Sequence, residues 1–113
     1  MIKDTENSEH YIWGNRCDGW HLVQSSSLSI IQEKMPPRAS ESLHYHEAAQ
    51  QFFFILKGDA TFEVNGKTYE VQAGQGFHIL PGQQHRIVNK SSEALEFIVT
   101  SEPKSHGDRI DLP

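Results

Sequence analysis

Three of the seven histidines have the spacing of metal ligands. His44 and His46 are separated by one residue, and His85 follows the turn-forming segment 81–84. Alternate side chains of a β-strand share a face, so His44 and His46 should project together while Tyr45 points away. Neutral imidazole is the commonest protein ligand for divalent transition metals. The pattern therefore predicts a two-histidine clamp, completed by His85 from a neighbouring strand, with coordination positions left for water or substrate.

The segments around these histidines have the pattern of an antiparallel β-structure. Short apolar stretches recur with turn residues between them, as in β-sandwiches and barrels. The predicted strands are 20–24, 28–35, 42–47, 50–57, 60–64, 67–71, 76–80, 84–89 and 95–100. The clearest signal is a hairpin, because alternating residues flank Asn65-Gly66, a pair that favours a type I′ turn. No window has a sustained helical period, so we expect little helix.

Composition limits the classes of partner. A chain of 113 residues predicts one domain. Its 10 Lys and Arg against 15 Asp and Glu argue against nucleic-acid binding. The longest apolar run, 52–56, is far shorter than the ~20 residues of a membrane-spanning helix. The start of the chain has no secretory signal pattern, and the single cysteine, Cys17, favours a reducing compartment. We therefore expect a cytoplasmic protein that binds neither nucleic acid nor membranes.

The residues around His44 resemble the first motif of the cupin superfamily. That motif reads Gly, five residues, His-x-His, three or four residues, Glu, six residues and Gly. This chain matches it at His44, His46 and Gly58. It departs from the motif at two positions, with Arg38 in place of the first glycine and Gln51 in place of the glutamate.

The residues around His85 resemble the second cupin motif, which reads Gly, five residues, Pro-x-Gly, two residues, His, three residues and Asn. The chain matches it at Gly74, Gly82, His85 and Asn89, with Leu80 in place of the proline. The two motifs stand in the right order, and the resemblance covers roughly residues 28–100.

This resemblance implies an all-β, single-domain cupin, a conical antiparallel β-barrel of jelly-roll type with a metal inside. We expect an N-terminal arm or edge strand over 1–19, the barrel over 20–101 and a C-terminal tail over 102–113. It also implies one divalent ion, iron, zinc, manganese or nickel, whose ligands are His44, His46, His85 and Gln51.

Gln51 changes the chemistry that the resemblance implies. An amide oxygen coordinates metals but is neutral and a poor base, so the ion should be a stronger Lewis acid. A mechanism that uses the family's glutamate as a proton shuttle is then disfavoured. The alternative role for Gln51 is to orient a histidine ligand.

Two function classes stay open at this point. The leading expectation is a metal-dependent enzyme acting on a small oxygen-bearing molecule, either an isomerase or lyase for a sugar or sugar acid, or a dioxygenase. The alternative is a non-catalytic cupin that binds or senses a small ligand, since one fold serves many functions. A catalytic version should hold a further titratable group with a shifted pKa in its cavity. The sequence identifies no such catalytic residue.

Alternation of side chains along the predicted strand 50–57 predicts one face toward the barrel interior and one toward the outside. Phe53 and Ile55 should line the barrel interior with Gln51, whereas Phe52 and Phe54 should point outward. The resemblance to small cupins implies a homodimer, so the outward aromatic residues are expected at the surface where two barrels meet. The N-terminal arm, with its two tryptophans, is expected to cross to the partner.

Several other residues receive an expectation here. Arg38 would place a cation where it meets an anionic substrate. Ser105, His106 and Asp108 lie too close in sequence for a catalytic triad, so the tail should be structural, tied by Asp108 and Arg109. The remaining expectations are that Glu47 faces away from the metal, Asn89 closes a turn, Cys17 is a packed or incidental thiol, and His78 has no assigned role.

Overall fold

The computed structural model describes residues 1–105 and 107–113. These residues form eleven β-strands and no helix, so the all-β prediction is confirmed. None of the described residues belongs to a helix that could cross a membrane. The strands are β1 Glu9–Trp13, β2 Cys17–Gln24, β3 Ser29–Met35, β4 His44–His46, β5 Gln50–Lys57, β6 Asp59–Val64, β7 Lys67–Gln72, β8 Gly76–Ile79, β9 His85–Val88, β10 Leu95–Glu102 and β11 Arg109–Asp111.

The strands form two antiparallel sheets that face each other as a jelly roll. One sheet has the order β1-β2-β3-β10-β5-β8 and the other β11-β4-β9-β6-β7. Apolar side chains from both sheets form the core, with Ile55, Phe62 and Phe97 fully buried in it. The arrangement places β4 and β9, which carry the three histidines, in one sheet and β5, which carries Gln51, in the other.

The predicted hairpin and the predicted alternation along β5 are both confirmed. Val64 pairs with Lys67 across the turn, and Asn65 and Gly66 have φ angles of 48° and 82°, as a type I′ turn requires. Along β5 the side chains of residues 51, 53 and 55 are buried, while those of residues 52, 54 and 56 are exposed. The interior face of this strand is therefore polar at Gln51 and apolar beyond it.

Two strands lie outside the nine apolar stretches predicted as strands, and the first of them falls within 1–19, where an arm or edge strand was expected. β1 forms the edge of the six-stranded sheet by pairing with β2. β11 comes from the C-terminal tail and pairs with β4. A strand of three residues is too short to show alternation, so nothing local identified it. β4 is also shorter than the predicted 42–47, because pairing covers only His44–His46.

Asn89 joins three chain segments inside the fold. Its amide nitrogen lies 3.2, 3.2 and 2.8 Å from the carbonyl oxygens of Met35, Pro36 and Glu93. Its amide oxygen accepts from the backbone N–H and the hydroxyl of Ser91. The side chain is fully buried. The expectation that Asn89 closes a turn is confirmed, and the same amide also fixes the end of β3.

Asn89→Ala should lower the free energy of unfolding by about 2–4 kcal/mol, because it leaves several buried carbonyls without a donor. Chemical denaturation followed by circular dichroism measures the change. Asn7→Ala is the matched control, since Asn7 is exposed and its bonds stay within the N-terminal turn. Equal stability of the two variants would contradict this role for Asn89.

Candidate metal centre

Two strands of the five-stranded sheet bring the three histidines together. His44 and His46 lie on one face of β4, as alternation requires, and His44 pairs directly with His85 of β9. All three side chains are buried, and one ligand atom from each lies within 4.8 Å of the others. The predicted constellation is therefore assembled in space, with its three histidines positioned to hold a metal ion.

Backbone carbonyl groups orient two of the three rings. Nδ1 of His44 lies 2.8 Å from the carbonyl oxygen of Ser42, and Nδ1 of His85 lies 2.8 Å from that of Gln83. A carbonyl oxygen only accepts hydrogen bonds, so Nδ1 carries the proton in both rings. In the neutral tautomer Nε2 then presents a lone pair, which is the form in which histidine binds metals.

Burial keeps these imidazoles neutral. Desolvation lowers the pKa of His44 to about 3 and that of His46 to about 4, and it also lowers the pKa of His85. Charge on His85 adds to the lowering at His46. At neutral pH protons therefore do not compete with a metal for the ring nitrogens.

Gln51 reaches the histidine cluster from the opposite sheet. Its amide nitrogen donates to the Ser101 hydroxyl at 3.0 Å, which turns the amide oxygen toward His85. That oxygen lies 3.2 Å from Nε2 of His85. With Nδ1 protonated, both atoms of this contact are acceptors, so they do not satisfy each other, and a cation between or beside them would satisfy both.

His46 gives a second indication that this site fits a metal ion. Its Nδ1 is buried and has no hydrogen-bond partner in the described part of the chain. A buried polar atom left unpaired is costly, by roughly 1–3 kcal/mol. The donor set of three neutral imidazoles and one amide oxygen thus fits a divalent transition metal ion.

A cavity of about 380 Å³ opens beside the histidines. Phe53 lines it as predicted, together with Ile31, Val99 and Trp13. Ile55 does not line the cavity and lies in the hydrophobic core instead. The remaining wall is polar, and its side chains are Tyr11, Glu33, Glu41, Ser101, Ser105 and Arg109.

Glu33 and Glu41 are cavity residues that sequence reasoning missed. Burial raises the pKa of Glu33 to about 8, helped by the charge of Glu41, and the Tyr11 hydroxyl donates to its carboxyl at 3.3 Å. Burial also raises the pKa of Glu41 to about 7, against the opposing effect of Arg109. In β3, Glu33 alternates with Ile31 and Met35, so its side chain lies on the strand face that points inward. A carboxyl on that buried face was the sequence feature that could have identified Glu33 as a cavity residue.

The expectation for Arg38 is wrong. Arg38 is exposed with a φ of 70°, and its guanidinium donates to the carbonyl of Lys90 at 3.0 Å, away from the cavity. Such a φ is the left-handed region that glycine adopts freely, which explains the glycine of the resembled motif at this position. The cavity is instead lined by Arg109 of β11.

The other expectations have mixed outcomes. Glu47 is exposed, as expected, and Cys17 is fully buried. His78 is also exposed, and its ring contacts the amide oxygen of Gln50. Asp108 ties the tail to the β4–β5 loop by accepting the backbone N–H groups of residues 47, 48 and 49. His106, named with the tail, lies outside the described residues.

Comparison with known protein families agrees with this architecture. The family profile of the cupin domain matches residues 31–101 of the chain. The match covers more than half of the sequence and contains all three histidines and Gln51. The chain therefore belongs to the cupin family.

Three relatives illustrate how far the similarity extends. A protein from Thermotoga maritima named oxalate-binding protein is 37% identical over 83 residues, covering 69% of each chain. A crystal structure of a predicted oxalate decarboxylase from the same organism has a TM-score of 0.84 at 24% identity, covering 92% of this chain and 100% of that one. A tetracenomycin polyketide synthase protein from Streptomyces glaucescens is 23% identical over 81 residues, covering 72% of this chain and 54% of that protein.

The buried carboxyls predict a pH dependence of stability. The folded-state pKa of Glu33, about 8, lies above its ordinary value of 4.5, so between these values the folded chain holds a proton that the unfolded chain lacks. That contribution to stability is present at low pH and is lost as pH rises through about 8. The lowered histidine pKa values act in the opposite direction, but only below about 6.5.

The unfolding free energy of the metal-free chain should therefore fall between about pH 6.5 and pH 8.5. Glu33→Gln should make this part of the profile flatter, because the amide does not titrate. Urea denaturation at several pH values measures both slopes, with Glu6→Gln as an exposed control. A slope that Glu33→Gln leaves unchanged would contradict this assignment.

Proposed function

We propose that this cupin is a metal-dependent enzyme acting on a small oxygen-bearing molecule. In this proposal one divalent transition metal ion is held by His44, His46 and His85, with the Gln51 amide oxygen as a fourth ligand. The observation that carries it is the contact of 3.2 Å between Gln51 Oε1 and His85 Nε2, two acceptors that a bound cation would satisfy, beside the two other histidines. Iron, zinc, manganese and nickel all accept imidazole and amide ligands.

Such an ion would polarise a substrate carbonyl or hydroxyl group as a Lewis acid or, if redox-active, take part in dioxygen chemistry. The ligand set is neutral, so proton transfer has to come from elsewhere in the cavity. Glu33 is suited to it, because a carboxyl with a pKa of about 8 gives or takes a proton near neutral pH. The Tyr11 hydroxyl holds that carboxyl in place.

This second titratable group favours isomerase or lyase chemistry on a sugar or sugar acid over dioxygenase chemistry. Isomerisation and elimination both require a proton to be moved by a group that is not a metal ligand. The apolar wall of Ile31, Phe53 and Val99 limits water on the other side of the cavity.

A second candidate is a protein that binds its ligand without converting it. The relative named oxalate-binding protein, at 37% identity, supports this alternative. A binding protein would retain its ligand unchanged, whereas an enzyme would convert it.

We also propose a homodimer in which a second copy covers the outer face of β5. Phe52 and Phe54 are 44% and 38% exposed there, with ring centroids 6.4 Å apart. An exposed aromatic cluster of this kind is favourable to bury between subunits. Cytoplasmic location stays a prediction from the sequence.

Metal analysis tests the core of the proposal. Protein purified without an affinity tag should carry about one equivalent of divalent transition metal, measured by inductively coupled plasma mass spectrometry. His44→Ala and His85→Ala should each lose most of it, because losing even an outer partner of a ligand weakens a metal site by roughly ten- to a hundredfold, and losing the ligand itself weakens it further.

His78→Ala is the control, since His78 is an exposed histidine outside the cluster. Wild-type levels of bound metal in His44→Ala and His85→Ala would overturn the site. Nuclear magnetic resonance of the loaded protein with oxalate and a panel of sugar acids then separates the two candidates. Conversion of any of them supports the enzyme, and tight binding without conversion supports the binding protein.

A further inference from the structure

Arg109 lies on the same sheet face as the histidines. β11 pairs with β4 so that Arg109 stands opposite His46 and Asp111 stands opposite His44. Directly opposed residues of an antiparallel pair project from one face, with Cβ atoms about 4.5–5.5 Å apart. The tail strand therefore adds a cation next to the histidine cluster, and Arg109 lines the cavity.

The guanidinium of Arg109 is fixed by one hydrogen bond, and its terminal N–H groups remain able to donate to a ligand. Its Nε donates to a carboxylate oxygen of Asp111 at 2.8 Å. One terminal nitrogen lies 3.8 Å from the Glu41 carboxyl, beyond hydrogen-bond distance. Within residues 1–105 and 107–113, the terminal N–H groups of Arg109 thus have no hydrogen-bond acceptor. Its side chain is 38% exposed.

The position of Arg109 is set by Asp108. The Asp108 carboxylate accepts three consecutive N–H groups of the β4–β5 loop at 2.9–3.2 Å. These bonds fix the start of β11 against the end of β4, directly beside His46. A cation on a fixed strand is better suited to bind one defined group than a cation on a mobile surface side chain.

Charge in the cavity is distributed to attract an anion with two binding groups. The histidines and Gln51 are neutral, so a bound divalent ion would carry its full charge at one end, and Arg109 supplies the other cation. Asp111 accepts from the Nε side of Arg109 at 2.8 Å, and Glu41 is the carboxyl beside its terminal nitrogens, at 3.8 Å. Planar guanidinium groups bind carboxylates through two parallel N–H bonds.

We propose that Arg109 binds a second carboxylate of the ligand, whose first oxygen-bearing group lies at the three histidines. Among the small oxygen-bearing ligands considered above, the preferred class is therefore a compact dicarboxylate, and Arg109 determines that specificity. This inference rests on the proposed function, because the first group needs the metal. In this inference the ligand carboxylate takes the place of the Glu41 carboxyl as the anionic neighbour of Arg109.

Titration calorimetry on the metal-loaded full chain tests this assignment. The probes are oxalate, malonate and succinate, with propionate and butyrate as monocarboxylates matched to the latter two. Wild type should bind at least one dicarboxylate more tightly than its monocarboxylate match. Arg109→Gln should weaken that dicarboxylate roughly tenfold or more and leave the monocarboxylates and the metal content unchanged.

Glu41→Gln should have the opposite effect and tighten dicarboxylate binding, because it removes the competing charge but keeps an acceptor for the backbone N–H of Ile87. Arg86→Gln is the control, since Arg86 pairs with Glu63 outside the cavity. Equal dicarboxylate affinity in Arg109→Gln and wild type, with metal retained, would overturn this inference alone. So would a wild type that prefers no dicarboxylate. Failure of the wild-type chain to hold a metal would overturn the proposed function as well.

Discussion

The contact between His85 and Gln51 is the constraint on which the site depends. Two acceptor atoms face each other at 3.2 Å in a buried place, and the carbonyl of Gln83 prevents the ring from moving its proton to relieve them. Each side of this contact is held by a different sheet, since His85 opens β9 and Gln51 lies in β5. Closure of the jelly roll therefore brings together an imidazole nitrogen and an amide oxygen that both accept, so neither satisfies the other's hydrogen-bonding need and both can bind a cation.

The rest of the cavity is built around that contact by strands far apart in sequence. β3 contributes Glu33, β4 contributes two histidines, and the short tail strand β11 contributes Arg109. Asp108 makes the tail a fixed part of the site by binding the loop that follows β4. Neutral ligands, raised carboxyl pKa values and one cation then give a cavity whose charge state is sensitive to the metal and to pH.

The sequence predicts the fold and the histidine cluster well, because short-range periodicity indicates the strands and the resemblance to the two cupin motifs implies the jelly roll and includes His85. Alternation places His44 and His46 on one face, and Asn65-Gly66 determines its hairpin within four residues. Glu41 and Arg109 could not be assigned to the cavity in the same way. Their role depends on which strand pairs with which, and the pairing of β11 with β4 has no local signal.

Arg38 shows the opposite error, since a charged residue inside a familiar motif suggested a contact with substrate. Its backbone angle and its bond to Lys90 explain its position without one. Where a motif position is occupied by glycine for conformational reasons, a replacement side chain points wherever the backbone directs it. Strand register across the sheet therefore identifies the cation near the histidines, Arg109, whereas proximity in sequence to a metal ligand does not.

Anomalous diffraction from crystals of the metal-loaded chain tests the central claim most directly. We expect one anomalous peak inside the jelly roll, about 2.0–2.1 Å from Nε2 of His44 and Nε2 of His85 if the ion is zinc, with the Gln51 oxygen turned toward it. A metal bound elsewhere on the chain, with the contact between His85 and Gln51 unchanged, would contradict the account.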